Sequence, residues 1–110
     1  MTLKETIAMV EVFHNSFGIE NRNNPTAELS ESQRELRYRL MAEENDEYLE
    51  AVKNNDLVEI ADALGDQLYI LCGTILKHGL QDKIAAVFQE IQRSNTVSYT
   101  HLTLPTTWLV

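Results

Sequence analysis

Glu43 to Asp66 reads EENDEYLEAVKNNDLVEIADALGD and holds nine of the chain's seventeen acidic residues, with Lys53 its one basic residue. The stretch reads as two helices broken near Asn54, Asn55 and Asp56. Glu43/Glu47 and Asp62/Asp66 stand at i, i+4, and Glu44/Glu47 and Glu59/Asp62 at i, i+3, so each set lies on one helix face. Unpaired like charges at those spacings repel, so a positive group is expected among them.

Working outward from the break, the upstream helix opens at Ser30, with Gln33 at the capping-box offset, and runs to about Lys53. At about 100° per residue, Leu36, Leu40, Glu43, Glu47 and Ala51 share a side, so carboxylates continue an apolar stripe. Glu44 sits at its edge, while Asp46 and Glu50 point elsewhere and are expected to be solvated. The downstream helix starts at Asp56, with Glu59 at N3, and runs to about His78 before Gly79. Leu57, Ile60, Ala61, Leu64, Leu68, Leu71 and Ile75 form its expected core stripe. Its other side carries Glu59, Asp62 and Asp66 and continues into Tyr69, Ile70 and Gly73, so both faces are expected to be covered.

A first helix is predicted over Leu3 to Ser16, capped by Thr2 with Glu5, with Ile7, Val10 and Phe13 as its apolar strip and Gly18 as its stop. The polar connection Ile19 to Leu29 is long enough to be functional. A fourth helix is predicted over Gln81 to Ser94, with Ile84, Val87, Phe88 and Ile91 facing inward. No strand alternation or repeat stands out, so the fold class is all-α, a four-helix bundle-like domain over residues 1–95. Thr96 to Val110 contains no charged Lys, Arg, Asp or Glu side chain and no periodicity. Its segment VSYTHLTLPT (97–106) resembles the translation of a transposase-type sequencing adapter, and residues 96–110 are set apart as a non-native tail; the alternative is a genuine C-terminal tail.

The chain's 110 residues make one domain with a modest core, for which a second subunit is a plausible support. A net charge of −8 argues against nucleic acid or an anionic membrane as the main partner. Cys72 is the lone cysteine, which excludes an intrachain disulfide and points to a reducing, cytoplasmic setting. Cys72 itself reads as packing. There is no signal-peptide pattern, and the apolar run Leu68 to Leu76 is too short to span a bilayer.

Glu43, Glu44 and Glu47, followed by Glu59 and Asp62, offer carboxylates one turn apart on two helices. Hard cations such as Mg²⁺ take oxygen ligands and bridge carboxylates to substrate phosphates. The bland reading, a solvated charged face, suits Asp46 and Glu50. It suits Glu43 and Glu47 poorly, because burying an unpaired carboxylate is expensive and a cation relieves the cost. Glu11 and His14 form a single E-x-x-H pair, where di-iron bundles need two, so His14 is a helix-end polar residue or a substrate contact. Arg93, Ser94 and Asn95 can meet phosphate or base, or simply complement a helix C-terminus.

EENDE (43–47) with EIAD (59–62) resembles the all-α NTP pyrophosphohydrolase superfamily of MazG-like and phosphoribosyl-ATP pyrophosphohydrolase-like proteins. FHNSFG (13–18), Pro25-Thr26, ALGDQLYILCGT (63–74) and EIQRSN (90–95) resemble one phosphoribosyl-ATP pyrophosphohydrolase-like branch, so the resemblance spans nearly all of residues 1–95. Two departures stand out. The gap between the acidic motifs is short, and the segment after Asn95, where relatives supply a lysine, is replaced by the tail.

The resemblance implies hydrolysis of a nucleoside triphosphate, or a related nucleotide, to monophosphate and pyrophosphate. It implies Mg²⁺ (or Mn²⁺) held by Glu44, Glu47, Glu59 and Asp62. Glu43 and Glu47 would be catalytic, Glu43 orienting or deprotonating the attacking water or serving as a further ligand. His14, Arg93 and Asn95 are the candidate substrate contacts, and a homodimer or homotetramer is expected. The competing reading is a non-enzymatic module whose acidic helical face docks a basic partner.

Overall fold

The computed structural model describes residues 1–100, with side chains to residue 97. Among the described residues there are four helices and no strand: α1 (Leu3–Ser16), α2 (Glu31–Lys53), α3 (Leu57–Lys77) and α4 (Ile84–Thr100). The fold class is all-α. Three of the starts follow from local caps. Thr2 and Glu5 form a reciprocal capping box, Ser30 Oγ accepts from Gln33 N, and Asp56 Oδ1 accepts from Glu59 N. Each satisfies a backbone N–H that has no partner within the helix, worth about 1 kcal/mol.

The turn between α2 and α3 is tight. Asn55 takes a left-handed φ of 51°, and Asp56 N reaches back to Ala51 O at 3.1 Å. The two helices therefore run antiparallel and pack along their length. Their register is read from two hydrogen bonds, Gln67 to Asn45 near the middle and Arg37 to Thr74 toward the far end. Near the turn the helices meet over two buried alanines, Ala51 and Ala63.

α1 packs on the C-terminal half of α3. Ile7, Val10, Cys72, Ile75 and Leu76 form the buried cluster, with Leu80 and Ile84 against it. Burying an aliphatic side chain of this kind stabilises by about 1.5–3 kcal/mol. The 17–30 connection is fastened across the end of α3. Arg22 N donates to Leu76 O, Thr26 N donates to His78 O, and Gln81 Nε2 donates to Arg22 O. Gly79, with φ +65°, makes this approach possible, since a Cβ there would collide with the Asn24 carbonyl oxygen.

Three expectations are corrected. The α3 stripe is not the chain's own core: of its members only Ile75 is buried, Ile60 is half-buried, and Leu57, Ala61, Leu64, Leu68 and Leu71 are exposed. The side of α3 that does turn inward is the one that carries Asp66, Ile70 and Gly73, because α1 and α2 both lie against it. The second correction is α4, which starts at Ile84 after a turn over residues 80–83 and leaves Val87, Phe88 and Ile91 exposed. Past Ile84 it makes little contact with α1, α2 or α3, so the chain alone does not close a four-helix bundle. Third, Phe13 is exposed where Ile7 and Val10 are buried. The expected boundary at Asn95 falls inside α4, and residues 101–110 of the tail lie outside the described residues.

Candidate functional site

The antiparallel register brings the acids of α2 and α3 together. Carboxylate oxygens of Glu44, Glu47 and Asp66 lie within 4.8 Å of one another. Oxygen ligands stand at about 2.0–2.6 Å from Mg²⁺ or Ca²⁺. Two oxygens on one ion can therefore stand up to about 4–5 Å apart, so these three are close enough to share an ion with small side-chain adjustment.

Glu44 is the inner member. Its Oε2 is buried and has no hydrogen-bond partner. Burial raises its pKa to about 7, helped by the neighbouring Glu47 and by the charges of Asp66 and Asp62. An acceptor without a donor, facing three further carboxylates, is what the chemistry of a cation site requires. The residues present fit a divalent cation.

Toward the α2–α3 turn the cluster opens into a cleft of about 460 Å³ lined by Glu47, Glu50, Asp56, Glu59 and Asp62. Glu47 belongs to both the cluster and the cleft. A second cavity, of about 630 Å³, lies between α1, the 17–30 connection, α2 and α3, and shares no lining residue with the acidic cleft. His14 lines it and is buried, its Nδ1 2.6 Å from Asn21 Oδ1.

The residues expected from the sequence are placed as follows. Glu44 and Glu47 converge, Glu59 and Asp62 line the adjoining cleft, and Glu43 is exposed and outside the converging trio. Asp66, which the sequence pattern sets on the face of Glu59 and Asp62 without making it a ligand, supplies the third converging oxygen. Its signal was the i, i+4 step from Asp62. Glu50 is exposed as expected, yet it shares the cleft with Glu47, Glu59 and Asp62, so its assignment to a different side of α2 is corrected. The steps from Glu47 to Glu50, Ala51 and Asn54 are three, four and seven residues, which keeps all four on one face. Arg93 is exposed and paired with Glu90 at 2.5 Å, and neither Arg93 nor Asn95 lines the acidic cleft or the His14 cavity.

Paired helices with three converging carboxylates, the inner one without a hydrogen-bond donor, define a carboxylate-rich all-α architecture suited to a divalent cation. The family model for phosphoribosyl-ATP pyrophosphohydrolase matches residues 10–95. The chain belongs to that family, whose members are pyrophosphohydrolases acting on acid anhydrides. Comparison with curated proteins and with solved structures finds no match. Among the described residues no helix is long and apolar enough to cross a membrane.

Proposed function

We propose that the chain hydrolyses a nucleoside triphosphate, or a related nucleotide such as phosphoribosyl-ATP, to monophosphate and pyrophosphate in the cytoplasm. The observation that carries this is the convergence of Glu44, Glu47 and Asp66 around the partnerless Glu44 Oε2, within a chain of this family. These three residues would hold Mg²⁺ or Mn²⁺, with Asp62 and Glu59 beside them for a further ion or its waters. A divalent cation bound there supplies phosphate charge neutralisation and an activated water.

The chain's own residues do the rest. Glu44 would have to be ionised to hold the cation, which would couple loading to pH. Glu47 bridges the inner cluster and the open cleft, where the triphosphate has access. Glu43 stands one helical turn before Glu47 and is exposed, so it is the carboxylate available to orient or deprotonate the attacking water; its helical spacing supports this role. His14 lines the neighbouring cavity and is the candidate contact to the nucleoside. Arg93 and Asn95 serve as substrate contacts only if another subunit brings them to the groove.

A second copy of the chain is part of this reading. Tyr38 and Met41 on α2, with Leu64, Leu68 and Leu71 on α3, are exposed apolar side chains of neighbouring helices. Such a patch is usual for a subunit interface. A homodimer or homotetramer covers it.

The experiment is a nucleotide panel with Mg²⁺, scored separately for monophosphate, pyrophosphate and orthophosphate. Monophosphate and pyrophosphate in equal amounts are expected. Orthophosphate as the sole product, or no turnover of any nucleotide, overturns the proposal.

A further inference from the structure

We propose that the cavity between α1, the 17–30 connection and the α2–α3 pair binds a phosphoryl oxyanion, held by Arg37 and Lys77. Both cations line the cavity, and their exposures are only 8% and 6%. Basic side chains are almost never this buried without a negative partner. Here neither forms an ion pair among the described residues, and the Glu20 carboxylate acts on Lys77 through its charge alone. Arg37 donates from Nε to Thr74 Oγ1 and from Nη2 to Ile70 O, both at 3.0 Å, and Lys77 donates from Nζ to the Glu20 carbonyl. These bonds use neutral acceptors and leave further N–H donors on both groups. Among the described residues the one ion pair is Arg93 with Glu90, on α4.

The charges around the cavity point the same way. Arg22 also lines it from the exposed rim, and Glu20, itself exposed, is the one acidic residue of the lining, its charge acting on Lys77. Burial lowers the Lys77 pKa, Glu20 offsets this, and the neighbouring Arg37 and Arg22 lower it further. Burial likewise lowers that of Arg37. Two buried cations, a third at the rim and one exposed carboxylate leave an excess of positive charge, and an anion relieves it. A guanidinium presents parallel N–H donors that match phosphoryl oxygens, with an ammonium as a second point charge. The volume of about 630 Å³ exceeds what one phosphate fills, and Phe13, Leu36 and Tyr69 give an apolar wall for an organic remainder.

This site is distinct from the acid cluster. Arg37 precedes Glu44 by two helical turns, roughly 10 Å along α2 at about 1.5 Å per residue. The α2–α3 pair therefore carries buried cations away from the turn and the acid cluster nearer to it.

The test uses the intact chain in EDTA, without divalent cation and without turnover, so its failure leaves the pyrophosphohydrolase reading untouched. The Arg37 Nε–H resonance is followed while inorganic phosphate, glucose 6-phosphate, glucose or sodium chloride is added. A saturable shift with the phosphoryl compounds, absent with glucose and chloride, is expected. Tighter binding of the sugar phosphate assigns the site to a phosphomonoester, and equal binding assigns it to the free oxyanion. Lys77→Met should weaken either at least tenfold; if that variant does not fold, the wild-type titration decides alone. No shift with either phosphoryl compound, an equal shift with chloride, or unchanged affinity in a folded Lys77→Met overturns the proposal.

Discussion

Gly73 is packed against the Arg37 guanidinium: a Cβ on Gly73 would lie 2.6 Å from Arg37 Nη2 and 3.1 Å from His14 Nε2. The missing side chain lets one cation and one imidazole from two different helices share a single face of α3. A methyl group there displaces the end of the Arg37 side chain, disturbs its bond to the Ile70 carbonyl and crowds His14.

Gly73→Ala should therefore lose the gain of about 1 kcal/mol that alanine brings to a helix interior, leaving the chain no more stable or less stable than wild type. Gly65, also in α3, has open space where a Cβ would stand, with nothing within 4 Å. Gly65→Ala should stabilise by about 0.5–1 kcal/mol through helix propensity alone. Paired urea titrations check both. Equal effects of the two substitutions would show that Gly73 is not a packing requirement.

Much of this is legible in the sequence, and the reason is locality. The caps at Thr2, Ser30 and Asp56 depend on side chains three residues away, and the carboxylate faces depend on spacing within a helix. What depends on how helices meet is not legible. α3 is apolar on two sides, and nothing within it says that Gly73 and Ile70, not Leu64 and Leu68, turn toward α1 and α2. The choice of Glu44 over Glu43 as the inner acid, and the recruitment of Asp66, follow from how α2 lies on α3. Arg37 escapes a sequence reading for a related reason: arginine is ordinarily exposed, and only the surrounding helices bury this one.

The raised pKa of Glu44 gives a pH dependence of definite sign. The folded chain holds this proton up to about pH 7, whereas the unfolded chain releases it near 4.5. Without divalent cation, Glu44 therefore lowers stability as pH rises across that window, and adds no further slope above it. Mg²⁺ reverses the trend, because binding requires the carboxylate and grows as the proton leaves. Melting temperature against pH, in EDTA and in Mg²⁺, should diverge most above pH 7. Glu44→Gln should flatten the EDTA curve and abolish the response to Mg²⁺.

The exposed apolar patch predicts association. Leu64, Leu68 and Leu71 are each about half exposed on the single chain. Light scattering should give at least twice the 12.6 kDa chain mass at micromolar concentration. Leu68→Asp should shift the population toward single chains, since burying an unpaired carboxylate in an interface is unfavourable. A wild-type mass matching one chain would remove the second copy from the proposal.

The last prediction separates acids that composition cannot tell apart. Glu47→Gln and Asp66→Asn each remove one of the three converging oxygens, so both should abolish pyrophosphate release and the stabilisation by Mg²⁺. Asp62→Asn acts on the adjoining cleft and on the charge felt by Glu44, so it should also cost most of the activity. Glu50→Gln is graded: Glu50 lines the cleft but is outside the trio, and its loss should slow turnover while leaving the Mg²⁺ response in place. Asp46→Asn is the control, since Asp46 is exposed and belongs to neither the trio nor the cleft. It should change stability by no more than about 0.5 kcal/mol and leave turnover as it was. Measuring both rate and Mg²⁺-dependent melting distinguishes a lost ligand from a misplaced water. Glu43→Gln should fall in the second class, keeping the Mg²⁺ response while losing rate. If Asp46→Asn proves as inactive as Glu47→Gln while both stay folded, the assignment of the α2 face is wrong. If Glu47→Gln and Asp66→Asn both keep full activity, so is the carboxylate clamp.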